Sequence, residues 1–389
     1  MTYDRYRSAL GGRSLPKAVV DMDALAANIA LVREAAAGKP VRIASKSIRH
    51  LGLLREVARG LDSDRIMAFS AREAAFLVRE GFGDVMLAYP TANAEDVKLL
   101  AEANRSAVVS VAVDDLAHLS LLASAAIAAG TVIPCIIDVD VSWRTLGLHI
   151  GVRRSPLRTP AEVVSLAQRL RDTNGLSFGG VLAYEAHIAG LTDSNPFSSL
   201  INGAKYALKK AARTPLENQR QAIAEGLSSS GLTPPLFNGG GSGSLRWSSQ
   251  EPWLTEVTAG SAFLTGHLFD YYRDIHFNPA LYFALQVVRI PAPGFFTCHG
   301  GGYVASGEAG KDRLPQPMLP QGLKLIGLEG AGEVQTPLVG TAALRVGDPV
   351  FFRHAKAGEL AEHFTHYLQL AGEKVEETPT YRGLGHAFL

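Results

Sequence analysis

Val41-Arg42-Ile43-Ala44-Ser45-Lys46 is a short, mainly apolar run that stops at a lysine. It reads as a strand, and the pattern recurs on both sides of it. Ala18-Val19-Val20 precedes it, and Ile66-Met67-Ala68-Phe69, Val85-Met86-Leu87-Ala88, residues 108–113 and 133–139, Gly180-Val181-Leu182-Ala183 and Leu236-Phe237-Asn238 follow. Between these runs lie helical patterns, and strands that alternate with helices imply βα units and a parallel sheet. Eight or nine units suit a closed barrel. The helix punctuation agrees: Ser70-Ala71-Arg72-Glu73 and Thr159-Pro160-Ala161-Glu162 have the form of capping boxes, and Gly38 and Gly81 stand where helices should end. Leu25, Ile29 and Val32 share one helical face, as a helix packed on a barrel wall requires.

Past about residue 275 the texture changes. Pro291-Ala292-Pro293-Gly294, Gly300-Gly301-Gly302 and Pro315-Gln316-Pro317 interrupt β-type runs, which predicts a mainly β second domain. The expected organisation is α/β: a (β/α)8 TIM-type barrel over residues 15–270, with residues 1–14 and 271–389 forming the β domain.

Composition narrows the partners. Lys and Arg number 38 against 37 Asp and Glu, so no bulk field favours nucleic acid or an anionic membrane. A small molecule is the better expectation. Two cysteines, Cys135 and Cys298, do not make a disulfide framework and fit a reducing cytoplasm. The opening residues lack the apolar core of a signal peptide, and no uncharged apolar run approaches about 18 residues, so the reading is cytoplasmic.

Lys46 stands at the C-terminal end of its strand, which in a barrel is the catalytic face. A partly desolvated lysine loses its proton easily enough to form a Schiff base with an aldehyde. Taken alone, a solvated strand-end lysine accounts for it better. Asn238-Gly239-Gly240-Gly241-Ser242-Gly243-Ser244 follows a late strand, where glycine amides and serine hydroxyls can converge on an anion, although a flexible loop explains the string equally well. His299-Gly300-Gly301-Gly302 resembles an oxyanion-hole string but no Gly-x-Ser-x-Gly follows it, so a turn into a β-hairpin is preferred. No dinucleotide fingerprint or P-loop occurs. His363 and His366 would share a face if their segment were helical, with surface histidines the plainer account.

In order along the chain come Val20-Asp21-Met22-Asp23-Ala24-Leu25-Ala26-Ala27-Asn28, the Lys46 strand, Asp138-Val139-Asp140 with Arg144, Tyr184-Glu185-Ala186-His187, the glycine loop, and Thr255-Glu256-Val257-Thr258-Ala259-Gly260-Ser261. This series resembles the fold type III pyridoxal 5'-phosphate (PLP) enzymes of the D-threonine aldolase and D-serine dehydratase family, whose barrel is related to that of alanine racemase. The resemblance implies that Lys46 carries PLP as a Schiff base and that Arg144 faces the pyridine nitrogen. It places Tyr184, Asn238, Gly240, Gly241, Ser242 and Gly243 against the cofactor, with the loop on its phosphate. His187 is the implied base for a substrate hydroxyl, and Glu185 stands where many relatives carry glutamine.

Relatives hold a divalent metal with a late His-x-Cys or His-x-Asp pair. Here the matching string gives His354 and then Lys356, and an ammonium cannot bind a cation. A divalent metal is therefore doubtful: either Lys356, with His354 beside it, acts on the substrate in the metal's place, or the metal site is built differently, with Glu359 or His354 as the ligand candidates. The implied protein is a homodimeric lyase that cleaves or dehydrates β-hydroxy-D-amino acids. An amino acid racemase using Tyr271 or Tyr272 is the alternative, followed by a non-catalytic PLP-homeostasis protein.

Overall fold

The computed structural model describes residues 2–389. Its first strand, β1 (Lys17–Asp21), leads into a helix at Met22–Ala35 whose first turn is capped by the Asp21 carboxylate, which accepts from the Asp23 and Ala24 amides. The expected apolar stripe is in place, with Leu25, Ile29 and Val32 buried. Then come β2 (Val41–Ala44), β3 (Arg65–Ala68), β4 (Asp84–Leu87), β5 (Val108–Val113) and β6 (Ile133–Asp138). A small hairpin, β7 (Trp143–Thr145) and β8 (Leu148–Ile150), precedes β9 (Leu176–Leu182), β10 (Phe237–Gly239) and β11 (Glu256–Ala259).

Eight of these strands close a parallel barrel in the order β10-β11-β2-β3-β4-β5-β6-β9. Every residue of β2 is buried, because one of its faces fills the barrel and the other meets the surrounding helices. Thr159 and Glu162 form the reciprocal capping box at Pro160–Asp172. At Ala71–Arg79 only half of the predicted box appears: Ser70 accepts from the Glu73 amide, but the Glu73 carboxylate accepts from Phe69 N–H instead. Gly38 and Gly81 adopt positive φ just past their helices.

The stretch Ala18-Val19-Val20 is a strand, as its composition predicts, but it does not belong to the barrel. The remaining strands are β12 (Leu281–Ala292), β13 (Phe295–His299), β14 (Gln316–Leu319), β15 (Leu323–Leu325), β16 (Gln335–Gly340), β17 (Pro349–Arg353), β18 (His366–Ala371) and β19 (Lys374–Pro379). They form a nine-stranded sheet with β1 in its interior, Val19 standing opposite Tyr282 of antiparallel β12 and Leu368 of parallel β18. A buried β-branched run looks the same in either sheet, so composition could not assign it.

His363 and His366 do not share a helical face. A short 3-10 turn ends at Glu362, and His366 opens β18. The glycines after His299 form the turn leaving β13, where the Gly300 amide donates to the Val334 carbonyl at 2.5 Å. Among the described residues no helix is long and apolar enough to cross a membrane.

Candidate active site

The C-terminal ends of the barrel strands surround a cavity of about 980 Å³. Lys46 enters it from a single 3-10 turn, Ser45–Ser47, that follows β2, and its Nζ donates to the Tyr89 hydroxyl at 2.8 Å. Tyr89 follows β4, Asp114 follows β5, Asp138 ends β6, Tyr184 follows β9, and the glycine loop follows β10, so the parallel barrel delivers them all to one mouth. Lys356 and Glu359 reach the same cavity from the β domain.

The glycine loop divides its donors. Gly240 N–H donates to Glu185 Oε2 at 3.0 Å, and Gly241 N–H to Ser244 Oγ at 3.1 Å, so both point away from the cavity. Among the described residues the Ser242 and Gly243 amides meet no acceptor, and both residues line the cavity. Ser242 Oγ accepts from the Gly260 and Ala262 amides, each at 3.1 Å, which leaves its own proton to donate. All four residues line the cavity, but the predicted anion cradle narrows in its donors: the Gly240 and Gly241 amides serve the loop's own structure, and those of Ser242 and Gly243 remain without an acceptor. Asn238 lines the cavity floor, where its amide donates to Glu256 Oε1 and Thr258 Oγ1.

Three sequence expectations are displaced. Arg144 lies on the β7–β8 hairpin with a side chain 56% exposed, paired to Asp140 at 3.4 Å, and it does not line the cavity. The hairpin turns it outward, and Arg154 stands in the wall instead. His187 is likewise outside the cavity lining, because the chain turns after Tyr184 into the short helix Ala186–Ala189 and carries the imidazole behind the wall. Its Nε2 is buried without a partner among the described residues, and burial lowers its pKa despite the pull of Glu185. His354 is 3% exposed, and burial with help from Arg353 pushes its pKa down to about 3, against the pull of the Leu281 backbone.

Lys356 does reach the cavity, where its Nζ donates to Ser306 Oγ at 2.9 Å and lies 3.5 Å from Glu359 Oε1. Tyr184 lines the cavity, and burial raises its pKa well above that of a free phenol. Sequence reasoning missed Tyr89 and Arg154, and it quoted Asp138 within a motif without giving it a role. Tyr89 could have been found by the rule that selected Lys46, since it too follows the C-terminal end of an apolar run. Burial and the neighbouring Asp114 push Asp138 up to about 7, against the pull of Arg154.

A primary amine opposite two outward amides and a free hydroxyl suits an aldehyde that also bears an oxyanion. A divalent metal is not suited: among the described residues no cluster of three or more His, Cys, Asp or Glu side chains could hold one, and an ammonium stands at the cavity end of the His354–Lys356 string.

Residues 20–267 match the family model described as the N-terminal domain of alanine racemase. The chain belongs to this family. Within the family's wider circle it is 28% identical over 246 residues to a D-threonine aldolase from Arthrobacter sp., covering 62% of this chain and 58% of that protein. It is 25% identical over 251 residues to a 3-hydroxy-D-aspartate aldolase from Paracoccus denitrificans (strain Pd 1222), covering 63% and 59%. The match thus spans about six tenths of the length of these relatives. The crystal structure of D-threonine aldolase from Filomicrobium marinum superposes with a TM-score of 0.81 at 19% identity, over 96% of this chain and 97% of that one, so the likeness of fold includes the β domain.

Proposed function

We propose that this chain is a PLP-dependent lyase of β-hydroxy-D-amino acids, with Lys46 as the covalent anchor of the cofactor. The observation that carries the reading is the placement of the Lys46 amine in one cavity with the unpartnered Ser242 and Gly243 amides. Its location on the catalytic face of a family barrel supports it. The two named aldolases among the relatives favour the substrate class.

When bound, PLP supplies an aldehyde that takes up the substrate amine and a ring that accepts the electrons released at Cα. The residues of this chain do the rest. Ser242 and Gly243 bind the phosphate through N–H groups, and the Ser242 hydroxyl adds a third donor. Tyr89 holds the Lys46 amine in place at 2.8 Å. Arg154 supplies the cation that the resemblance had placed at Arg144.

Cleavage of Cα–Cβ requires a proton to leave the β-hydroxyl and one to arrive at Cα. Asp138 is the cavity carboxyl that exchanges a proton near neutral pH, and it takes over the base role expected of His187. The Lys356 ammonium donates to the substrate hydroxyl or carboxylate, in the role that the resemblance gives to a metal. Dehydration would use the same groups in other roles, with Asp138 taking the proton from Cα and the hydroxyl leaving as water on a proton from Lys356. Of the two racemase candidates Tyr271 is not among the cavity's lining residues, and Tyr272 lines it but its hydroxyl donates to the Ala189 carbonyl at 2.8 Å.

Borohydride reduction of PLP-loaded protein followed by peptide mapping tests the anchor, with the label expected on Lys46 and lost in Lys46→Ala. Incubation with D- and L-β-hydroxy amino acids then reads the reaction. Glycine plus aldehyde means aldol cleavage, and 2-oxo acid plus ammonia means dehydration. Labelling at another lysine, or exchange of enantiomers alone, overturns the proposal.

A further inference from the structure

Beneath the glycine loop lies a buried ion pair that the chemistry above does not use. Arg220, from the helix Arg213–Ser229, and Glu185, between Tyr184 and the next short helix, both have side chains 0% exposed. Burying two charges costs several kcal/mol per ion unless further hydrogen bonds satisfy them. Here they do. The Arg220 guanidinium donates to Glu185, to the Ala183 carbonyl and to Glu251.

Glu185 accepts in addition from the Gly240 amide at 3.0 Å and from the Ser244 and Ser248 hydroxyls, each at 2.5 Å. Burial alone would raise the Glu185 pKa, but the charge of Arg220 and the two serine hydroxyls outweigh it and hold the group ionised.

These bonds have a direction. One oxygen of Glu185 draws in the Gly240 amide directly, and the other orients Ser244, whose Oγ draws in the Gly241 amide. With two successive N–H groups turned inward, the next two, on Ser242 and Gly243, are left for the cavity. Gly239 makes room for the arrangement, since a Cβ there would come 2.7 Å from the Arg220 guanidinium. The first glycine of the loop thus accommodates the ion pair beneath it.

We propose that Glu185, held by Arg220, is a positioning residue that sets the loop so that the Ser242 and Gly243 amides bind the oxygens of a phosphate monoester. The proposal rests on the reading of the cavity as a PLP site, and the two can fail separately. Glu185 touches no ligand; it acts through the loop.

The test compares PLP with pyridoxal, which has the same ring and aldehyde but no phosphate, by titrating full-length cofactor-free protein. Wild type should prefer PLP strongly, and inorganic phosphate should compete with PLP but not with pyridoxal. Glu185→Gln should cut the preference by about tenfold, equivalent to about 1.4 kcal/mol, while leaving pyridoxal affinity within about twofold. Because that variant leaves the buried Arg220 with Glu251 as its remaining carboxylate partner and could fail to fold, Ser248→Ala is the companion. It removes one hydroxyl from Glu185, keeps the ion pair, and should lower the same ratio by a smaller factor.

If wild type prefers PLP and folded variants keep its ratio, or lose both ligands equally, the positioning role is overturned. If wild type shows no preference for PLP, the phosphate-site reading falls and this inference with it.

Discussion

Gly358, between Lys356 and Glu359, has φ of +92°, and a Cβ there would stand 1.9 Å from the Lys46 carbonyl oxygen and 2.8 Å from Ser47 Cα. The β domain therefore meets the lysine turn of the barrel backbone to backbone. Replacing Gly358 with alanine forces the two apart by roughly 1 Å, a displacement that costs on the order of 100-fold in rate when it separates groups acting on one substrate. Strain is a second effect, since a non-glycine residue at such a φ costs about 1 to 3 kcal/mol.

Gly81 separates the two effects. Its φ is also +92°, and nothing lies within 4 Å of its Cβ position. Gly81→Ala should lose about 1 to 3 kcal/mol in urea unfolding and leave kcat/KM unchanged. Gly358→Ala should lose more stability and, under conditions where it is fully folded, on the order of 100-fold in kcat/KM for the best β-hydroxy-D-amino acid. If kcat/KM of Gly358→Ala stays within about twofold of that of Gly81→Ala, the spacing of Lys46 and Lys356 does not govern catalysis and the reasoning fails.

Other expectations concern charge. Burial pushes Glu73 up to about 7, so the folded state binds its proton more tightly than the unfolded chain does, and stability is lost as pH rises from about 4.5 through 7. Relative to wild type, Glu73→Gln should gain roughly 2 to 3 kcal/mol between pH 5 and pH 8 in urea titrations, and a flat difference would refute the shift. His50 has the opposite sign: burial pushes it down to about 4, so the unfolded chain takes up a proton first and stability falls as pH drops from about 6.5 to 4. His50→Gln should remove up to roughly 3 kcal/mol of that decline, as read by the same titrations. Lys356→Ala should depress kcat by at least about tenfold with PLP retention unchanged, and exhaustive chelation of wild type should leave activity intact. Activity lost on chelation and restored by manganese would return the metal to the mechanism.

Local signals made much of the barrel legible. Lys46 was found because a strand end is a local event, and helix starts at Asp21, Ser70 and Thr159 are set by side chains within three residues of the amides they cap. What failed depended on distant or subtle geometry. The sheet that holds Val19 is decided by Tyr282 and Leu368. Arg144 is turned out by a three-residue hairpin strand, and His187 is carried behind the wall by one turn of helix, neither of which leaves a clear pattern in composition. Glu185 stood out as a departure from its relatives, but its meaning lay in Arg220, 35 residues away on a separate helix.

The interior position of β1 bears on how the molecule assembles during translation. β1, made before the other described strands, gains one neighbour when residues 281–292 appear and the other when residues 366–371 do. By then β11, the last barrel strand to be made, has already emerged, so the barrel can close while Ala18, Val19 and Val20 still expose backbone and apolar side chains. Nascent chains that stall between these two points would carry a formed barrel beside an open strand edge, the kind of surface on which holdase chaperones bind. Removing β18 by truncation would leave the same edge permanently open.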